Sequence, residues 1–286
     1  MRQLPLPGDM VKMSNALARA RWQPNSIWES RIIALVASKV HESDEDFFTY
    51  RIPVAELTGM SDENLRGNQY REIVKSIEHL GKATIKLEGR KARNFRQYNI
   101  FAMCGYEDGH LIAEFHPDLK PHFLVLKKHF TIYSLFEFLL LPSTYSQRMF
   151  EILKSWANCP EVVISMADLH EILDTPDSFR ANFKDFRRRV LEKAHKDIAA
   201  KTSLFFEWEP IMQGRSVGSI RFVFSKGKTA RISEEKNIKL QRSDIRRRNA
   251  FMVAAVECAG DKIAPCPGNG QKTEVCGYCR EFGILK

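Results

Sequence analysis

The chain is predicted to fold as α+β: two tandem winged-helix domains, each a helix-turn-helix followed by a β-hairpin wing, with a cysteine-containing C-terminal tail. Three observations carry this expectation. Short apolar series at helical spacing are separated by turns marked with Gly or Pro. Each series is followed by two strand-like runs. The second half of the chain then repeats the grammar of the first without an obvious sequence repeat. A length of 286 residues, with 44% apolar and 10% aromatic side chains, is enough for two ordinary cores and excludes wholesale disorder.

The elements follow in order. Residues 25–40 carry Ile27, Trp28, Ile32, Leu35 and Val36 at helical spacing. Residues 54–57 form a short helix that Gly59 stops. Tyr70, Ile73, Val74, Ile77 and Leu80 make the apolar stripe of a second helix ending at Gly81. Strands over 84–87 and 97–103, joined by the polar-basic turn 88–94, complete a first winged helix. In the connecting region, 110–115 alternates like a strand, Pro117 and Pro121 punctuate, and 123–126 starts a helical piece. From 131 to 156 two helical segments are expected, broken at Pro142-Ser143 with Ser143 as N-cap. Phe136, Leu139, Leu140, Met149, Phe150 and Leu153 are assigned to core. The second unit opens on a capping pattern, Ser165 to Asp168, followed by Leu169, Ile172 and Leu173. A turn containing Pro176 leads to a long helix over about 179–200, and strands over 204–208 and 219–224, joined by 210–218, close it. The expected domains are therefore 1–130, 131–225 and a basic, Cys-rich extension 226–286.

Charge is distributed in windows. The formal net charge is +9, yet residues 82–97 carry +5, 180–200 carry +4 and 226–248 carry +6, so the rest of the chain is −6. Basic residues concentrated in this way suit surfaces that neutralise a polyanion, and three windows together favour nucleic acid. The N-terminal residues lack the apolar core and cleavage pattern of a signal peptide, and the most apolar stretch, 133–141, is far shorter than the roughly 18 residues that span a bilayer. A soluble, cytoplasmic protein is expected.

The helix after Ser178 is the strongest candidate reader. Phe183, Phe186, Val190, Ala194 and Ile198 share one face; Ala181, Asp185, Arg188, Arg189, Glu192 and Lys196 fall opposite. A helix entering a major groove uses its N-terminal half, which selects Arg180, Asn182, Lys184, Asp185, Arg188 and Arg189. Arg pairs bidentately with guanine, Asn with adenine, and Asp accepts from cytosine. Arg187 falls on the apolar side and is expected to snorkel or form an internal ion pair. Arg215 and Arg221 flank the second wing as phosphate contacts. In the first unit the candidates are Asn68, Arg71 and Lys75 on the second helix and Arg90, Lys91, Arg93 and Arg96 around the wing.

Catalytic readings fail on context. Gly214-Arg-Ser-Val-Gly218 matches a hydrolase nucleophile pattern, but that elbow needs a strand leading into a helix, and strands flank this segment on both sides. Gly227-Lys-Thr229 lacks the leading glycine of a phosphate-binding loop, since position 222 is Phe. The eight histidines include no His-x-His pair, and His110, His116, His122 and His129 scatter through the connecting region. Neither an enzyme activity nor a required cofactor is expected.

Taken together, several stretches resemble the iteron-binding plasmid replication initiators of the Rep superfamily. They are Val11-Lys-Met-Ser-Asn15, Phe130-Thr-Ile-Tyr-Ser134, Tyr145-Ser-Gln-Arg-Met-Phe-Glu-Ile-Leu153, Phe183-Lys-Asp-Phe-Arg-Arg-Arg-Val-Leu191 with Ala194, and Gly214-Arg-Ser-Val with the strand 220–224. Phe150 stands where the family pattern has tyrosine. The resemblance spans roughly residues 9–225. It implies that the C-terminal winged helix reads the major groove through 180–189, while the N-terminal one adds DNA contacts and forms the dimer interface. It also implies monomers that bind origin direct repeats, open the origin and recruit host initiator and helicase, and dimers that repress their own gene. A dedicated dimeric repressor is the alternative, and a nuclease or relaxase a remote one.

The resemblance says least about residues 226–286. Cys258, Cys266 and the pair Cys276 and Cys279 could complete a tetrahedral structural zinc site; with seven, nine and two intervening residues the spacing is irregular, and free thiols are the other reading.

Overall fold

Two strand–helix entries, 120 residues apart, open the two halves of the molecule. A computed structural model describes residues 9–41, 44–58, 67–88, 94–124, 126 and 128–225. The first half runs β1 (Met10–Ser14), α1 (Asn15–Ala18), α2 (Ile27–Ala37), β2 (Tyr50–Pro53), a 3-10 turn (Val54–Thr58), α3 (Gly67–Leu80), β3 (Thr84–Glu88), β4 (Phe95–Asn99), β5 (Phe101–Glu107) and β6 (His110–Phe115). A second 3-10 turn (Pro117–Leu119) and α4 (Lys120–Phe123) lead to the second half. It runs β7 (Phe130–Ser134), α5 (Leu135–Leu139), α6 (Thr144–Lys154), β8 (Glu161–Ser165), α7 (Met166–Ile172), α8 (Asp177–Ala181), α9 (Phe183–Phe186), a π-helical turn (Arg187–Glu192), α10 (Lys193–Lys201), β9 (Phe206–Gln213) and β10 (Ser216–Phe224). Strand, short helix, helix, strand, helical turn, reader helix and hairpin recur in the same order, which is the tandem winged-helix architecture.

Among the described residues all sheet pairing is antiparallel. β1 pairs with β7, Met10 opposite Ser134, so the two entry strands join each other. β3 and β4 form the first wing; β2, β6 and β5 make a three-stranded sheet; β9 and β10 form the second wing, with β8 on the other side of β10. Ser14 and Ser26 cap α1 and α2 through bonds from the Leu17 and Glu29 amides, at 3.1 and 3.3 Å. The β5–β6 hairpin turns on Asp108 and Gly109, both at positive φ (46° and 78°), as a tight two-residue hairpin requires.

Helix α6 sits at the centre. Met149, Phe150, Ile152 and Leu153 are fully buried, and so are Arg148 and Glu151 in the same helix. Arg148 is ion-paired with Glu151 and donates to the Ala20 carbonyl at 2.9 Å. The Tyr133 hydroxyl donates to the other Glu151 oxygen at 2.8 Å, and burial holds the phenol well above its ordinary pKa. The signature stretch 145–153 is thus a structural hub. Its charges are paired because an unpaired one would be costly in this interior.

Several local expectations are corrected. The strand expected over 97–103 divides at buried Ile100, whose amide bonds the Ala83 carbonyl, so β4 belongs to the wing and β5 to a different sheet. The helical piece expected at 123–126 lies earlier, as α4, with Pro121 in its first turn where a missing N–H costs nothing. Residues 130–134 are a strand, with Thr131 and Tyr133 buried and Ile132 exposed, because β1 supplies a pairing partner. Of the assigned core residues, Leu140 is exposed and Phe136 only half-buried. β8 was unexpected, and β9 and β10 extend to a tight turn at Gly214, which adopts φ +64°.

Candidate nucleic-acid interface

The second helix-turn-helix is held by polar bonds at each corner. Ser165 caps α7, accepting from the Asp168 amide at 3.0 Å. Leu169 and Leu173 anchor α7 in the core. The turn passes through Asp174, at φ +44°, to buried Thr175, whose hydroxyl meets His170 Nδ1 at 2.6 Å. Burial first, and then the nearby Arg180 charge, hold His170 below its ordinary pKa.

The long helix expected from about 179 is broken. Asn182 is extended (φ −136°, ψ 98°), and the reader helix starts at Phe183. The Asn182 side chain accepts from the Lys184 amide and donates to Asp185 Oδ2, each at 3.0 Å, so it caps the helix. Arg180, on the preceding turn, donates to the carbonyls of His170 and Thr175, both at 3.1 Å, and bridges to Glu171 at 3.3 Å. Both residues are occupied within the protein in this structure. From Phe183 the helix runs to Lys201 through the π-helical turn 187–192. The wider turn lets Val190 and Leu191 both bury, along with Phe186, Ala194 and Ile198, while Arg187, Arg188 and Arg189 remain exposed. Arg187, expected on the apolar side, is instead exposed, and it pairs with Glu192 at 2.7 Å on the surface. Asp185 accepts from Arg188 at 3.3 Å and lies 4.0 Å from Arg189. With Arg188 and Arg189 63% and 59% exposed and Lys184 exposed beside them, this first stretch of the reader helix presents three cations, the two arginines against Asp185.

Ser146 ties the reader helix to the hub, donating to Asp197 at 2.6 Å. Neither that bond nor the Arg148 network was read from the sequence; the Tyr145–Leu153 signature was the signal that could have marked them.

The wings differ. Arg215 stands exposed in the turn beside Gly214. Arg221 lies on β10 between Glu161 of β8, at 2.5 and 3.0 Å, and Glu209 of β9, at 3.0 Å; hydrogen bonds to these carboxylates raise its pKa further. Phosphates approaching Arg221 would meet those glutamates, so its neighbourhood suits a cross-strand ladder. In the first unit Asn68, Arg71 and Lys75 are exposed on α3, opposite buried Ile73, Ile77 and Leu80. Arg96 is exposed on β4 opposite Leu87. Arg90, Lys91 and Arg93, like Gly59 and the cysteines at 258, 266, 276 and 279, lie outside the described residues. Among the described residues no three His, Cys, Asp or Glu side chains gather as a metal site, and no helix is long and apolar enough to cross a membrane.

Two family models match the chain: "Initiator Replication protein, WH1" over residues 10–154 and "Initiator Rep protein, WH2" over residues 165–224. The chain belongs to the initiator Rep proteins. The first match alone covers half of this initiator and includes the β1–β7 pair and α6; the second runs from Ser165, the cap of α7, through the second wing. Among solved structures, that of Pi initiator protein in complex with iteron DNA is similar, with a TM-score of 0.64 and 21% identity. The alignment covers 78% of this chain and 99% of that one, and at such identity it speaks for the fold. No curated protein matches the chain.

Proposed function

We propose that this initiator starts plasmid replication by binding direct repeats (iterons) at the origin, with the second reader helix in the major groove and the first winged helix making further contacts. The observation that carries the reading is the exposed Lys184, Arg188 and Arg189 set on the second reader helix, in a two-winged-helix fold shared with a protein solved on iteron DNA. Arginine contacts to bases supply specificity, and Lys and Arg contacts to phosphate supply salt-dependent affinity. No covalent step is involved: bound protomers deform the duplex and favour melting of an adjacent A·T-rich segment. Monomers act on iterons in the bacterial cytoplasm and recruit host initiator and helicase; dimers joined through the first winged helix repress the protein's own gene and so limit copy number.

A footprint of the purified protein across its plasmid's origin, at two salt concentrations, tests this. Evenly spaced direct repeats should be protected. Protection of an inverted repeat at the promoter alone would make the protein a dedicated repressor, and uniform salt-sensitive coverage would mean that it binds without reading.

A further inference from the structure

Arg21 joins the first strand of the first wing to the turn that aims the second reader helix. Its backbone bridges β3: its amide donates to the Lys86 carbonyl at 2.9 Å and its carbonyl accepts from the Lys86 amide at 3.2 Å. Its guanidinium reaches into the other domain, donating to Glu171 at 2.5 Å and to Asp174 at 2.7 and 3.1 Å. Glu171 spends its second oxygen on Arg180, which in turn holds the His170 and Thr175 carbonyls. Asp174 is the residue at φ +44°, where a non-glycine residue is held only by its surroundings. Both acidic side chains are 46% exposed and Arg21 is 32% exposed, so these ion pairs contribute little to global stability. What they constrain is geometry.

We propose that Arg21 is a positioning residue: through Glu171 and Asp174 it fixes the second reader helix relative to the first wing, and thereby sets the spacing between two DNA contacts that the protein accepts. The inference rests on the proposed two-domain binding mode. Duplex DNA turns once in about 10–10.5 base pairs, so one inserted pair moves the second contact by about 3.4 Å and about 35° around the axis. A rigid pair of domains rejects that change; a loosened pair follows it.

The test uses the full chain and the tightest duplex that the wild type selects from a randomised pool, with versions carrying one base pair inserted or deleted between the segments protected from hydroxyl radicals. Arg21→Ala should shrink the penalty for altered spacing about tenfold, with a smaller change on the parent duplex. Asp174→Gly should do the same, since glycine accepts the positive φ and only the clamp is lost. An unchanged spacing penalty in both variants overturns the proposal, as does an equal loss on every spacing, which would make Arg21 a direct DNA contact. A single protected segment in the wild type would overturn the two-domain binding mode itself.

Discussion

At the residue scale, the reader helix separates side chains that face DNA from side chains that shape the helix. Arg188 is exposed and oriented by Asp185, a geometry suited to a bidentate guanine contact. Arg188→Ala should cost about 1–3 kcal/mol of binding and relax specificity at one base position, measured across single-base variants of the site. Asn182 belongs to the second group. Removing its cap in Asn182→Ala should lower stability by about 1 kcal/mol in urea titration, while Asn182→Ser should retain most of it. Equal stability for the alanine variant with lost discrimination at an adenine would return Asn182 to base reading.

At the element scale, the two hairpin arginines that looked equivalent in sequence stand in different fields. Arg215 projects from the turn, and Arg221 is enclosed by Glu161 and Glu209. Arg215→Ala should weaken binding evenly across sequences and flatten the slope of log K against log salt by about 0.9. Arg221→Ala should leave that slope unchanged; a drop equal to that of Arg215→Ala would place a phosphate at both. The helices and strands themselves were largely legible, because the α3 stripe and the Ser165 cap express local periodicity and hydrogen-bonding preference. The β1–β7 pair was not, since two strands 120 residues apart find each other only once the core forms. The Asp108-Gly109 turn, by contrast, is a local signal, an Asp-Gly pair between two strand-like runs.

At the scale of the whole molecule, stability depends on buried polar groups outside the exposed cationic face. Arg148→Ala would leave the buried Glu151 charge with only the Tyr133 hydroxyl and the Ala20 carbonyl without its Arg148 donor, at a cost of about 3–5 kcal/mol in urea denaturation. Stability should also fall in mild acid. His122, bonded to Ser14 at 2.8 Å, is held below its ordinary pKa by burial, and His170 by burial and Arg180. The unfolded chain therefore binds protons more readily: their contribution is complete above the unfolded value of about 6.5 and is lost as pH falls from there through the folded values. Melting temperatures from pH 8 to 5 should show this, and His170→Gln should remove part of the slope.

The sequence by itself determined the two winged helices, the reader helix and its cationic face, because hydrophobic periodicity and capping act within a few residues. Only the tertiary structure decided which charges are free. Arg180, Asn182 and Arg221 share the charge or polarity of their exposed neighbours, but their partners are set by the turn, the cap and the cross-strand register. The Arg21 clamp belongs to the same class, since it joins residues about 150 positions apart in the chain. An ion pair depends on separation in space, and sequence distance carries no information about that until the core has packed.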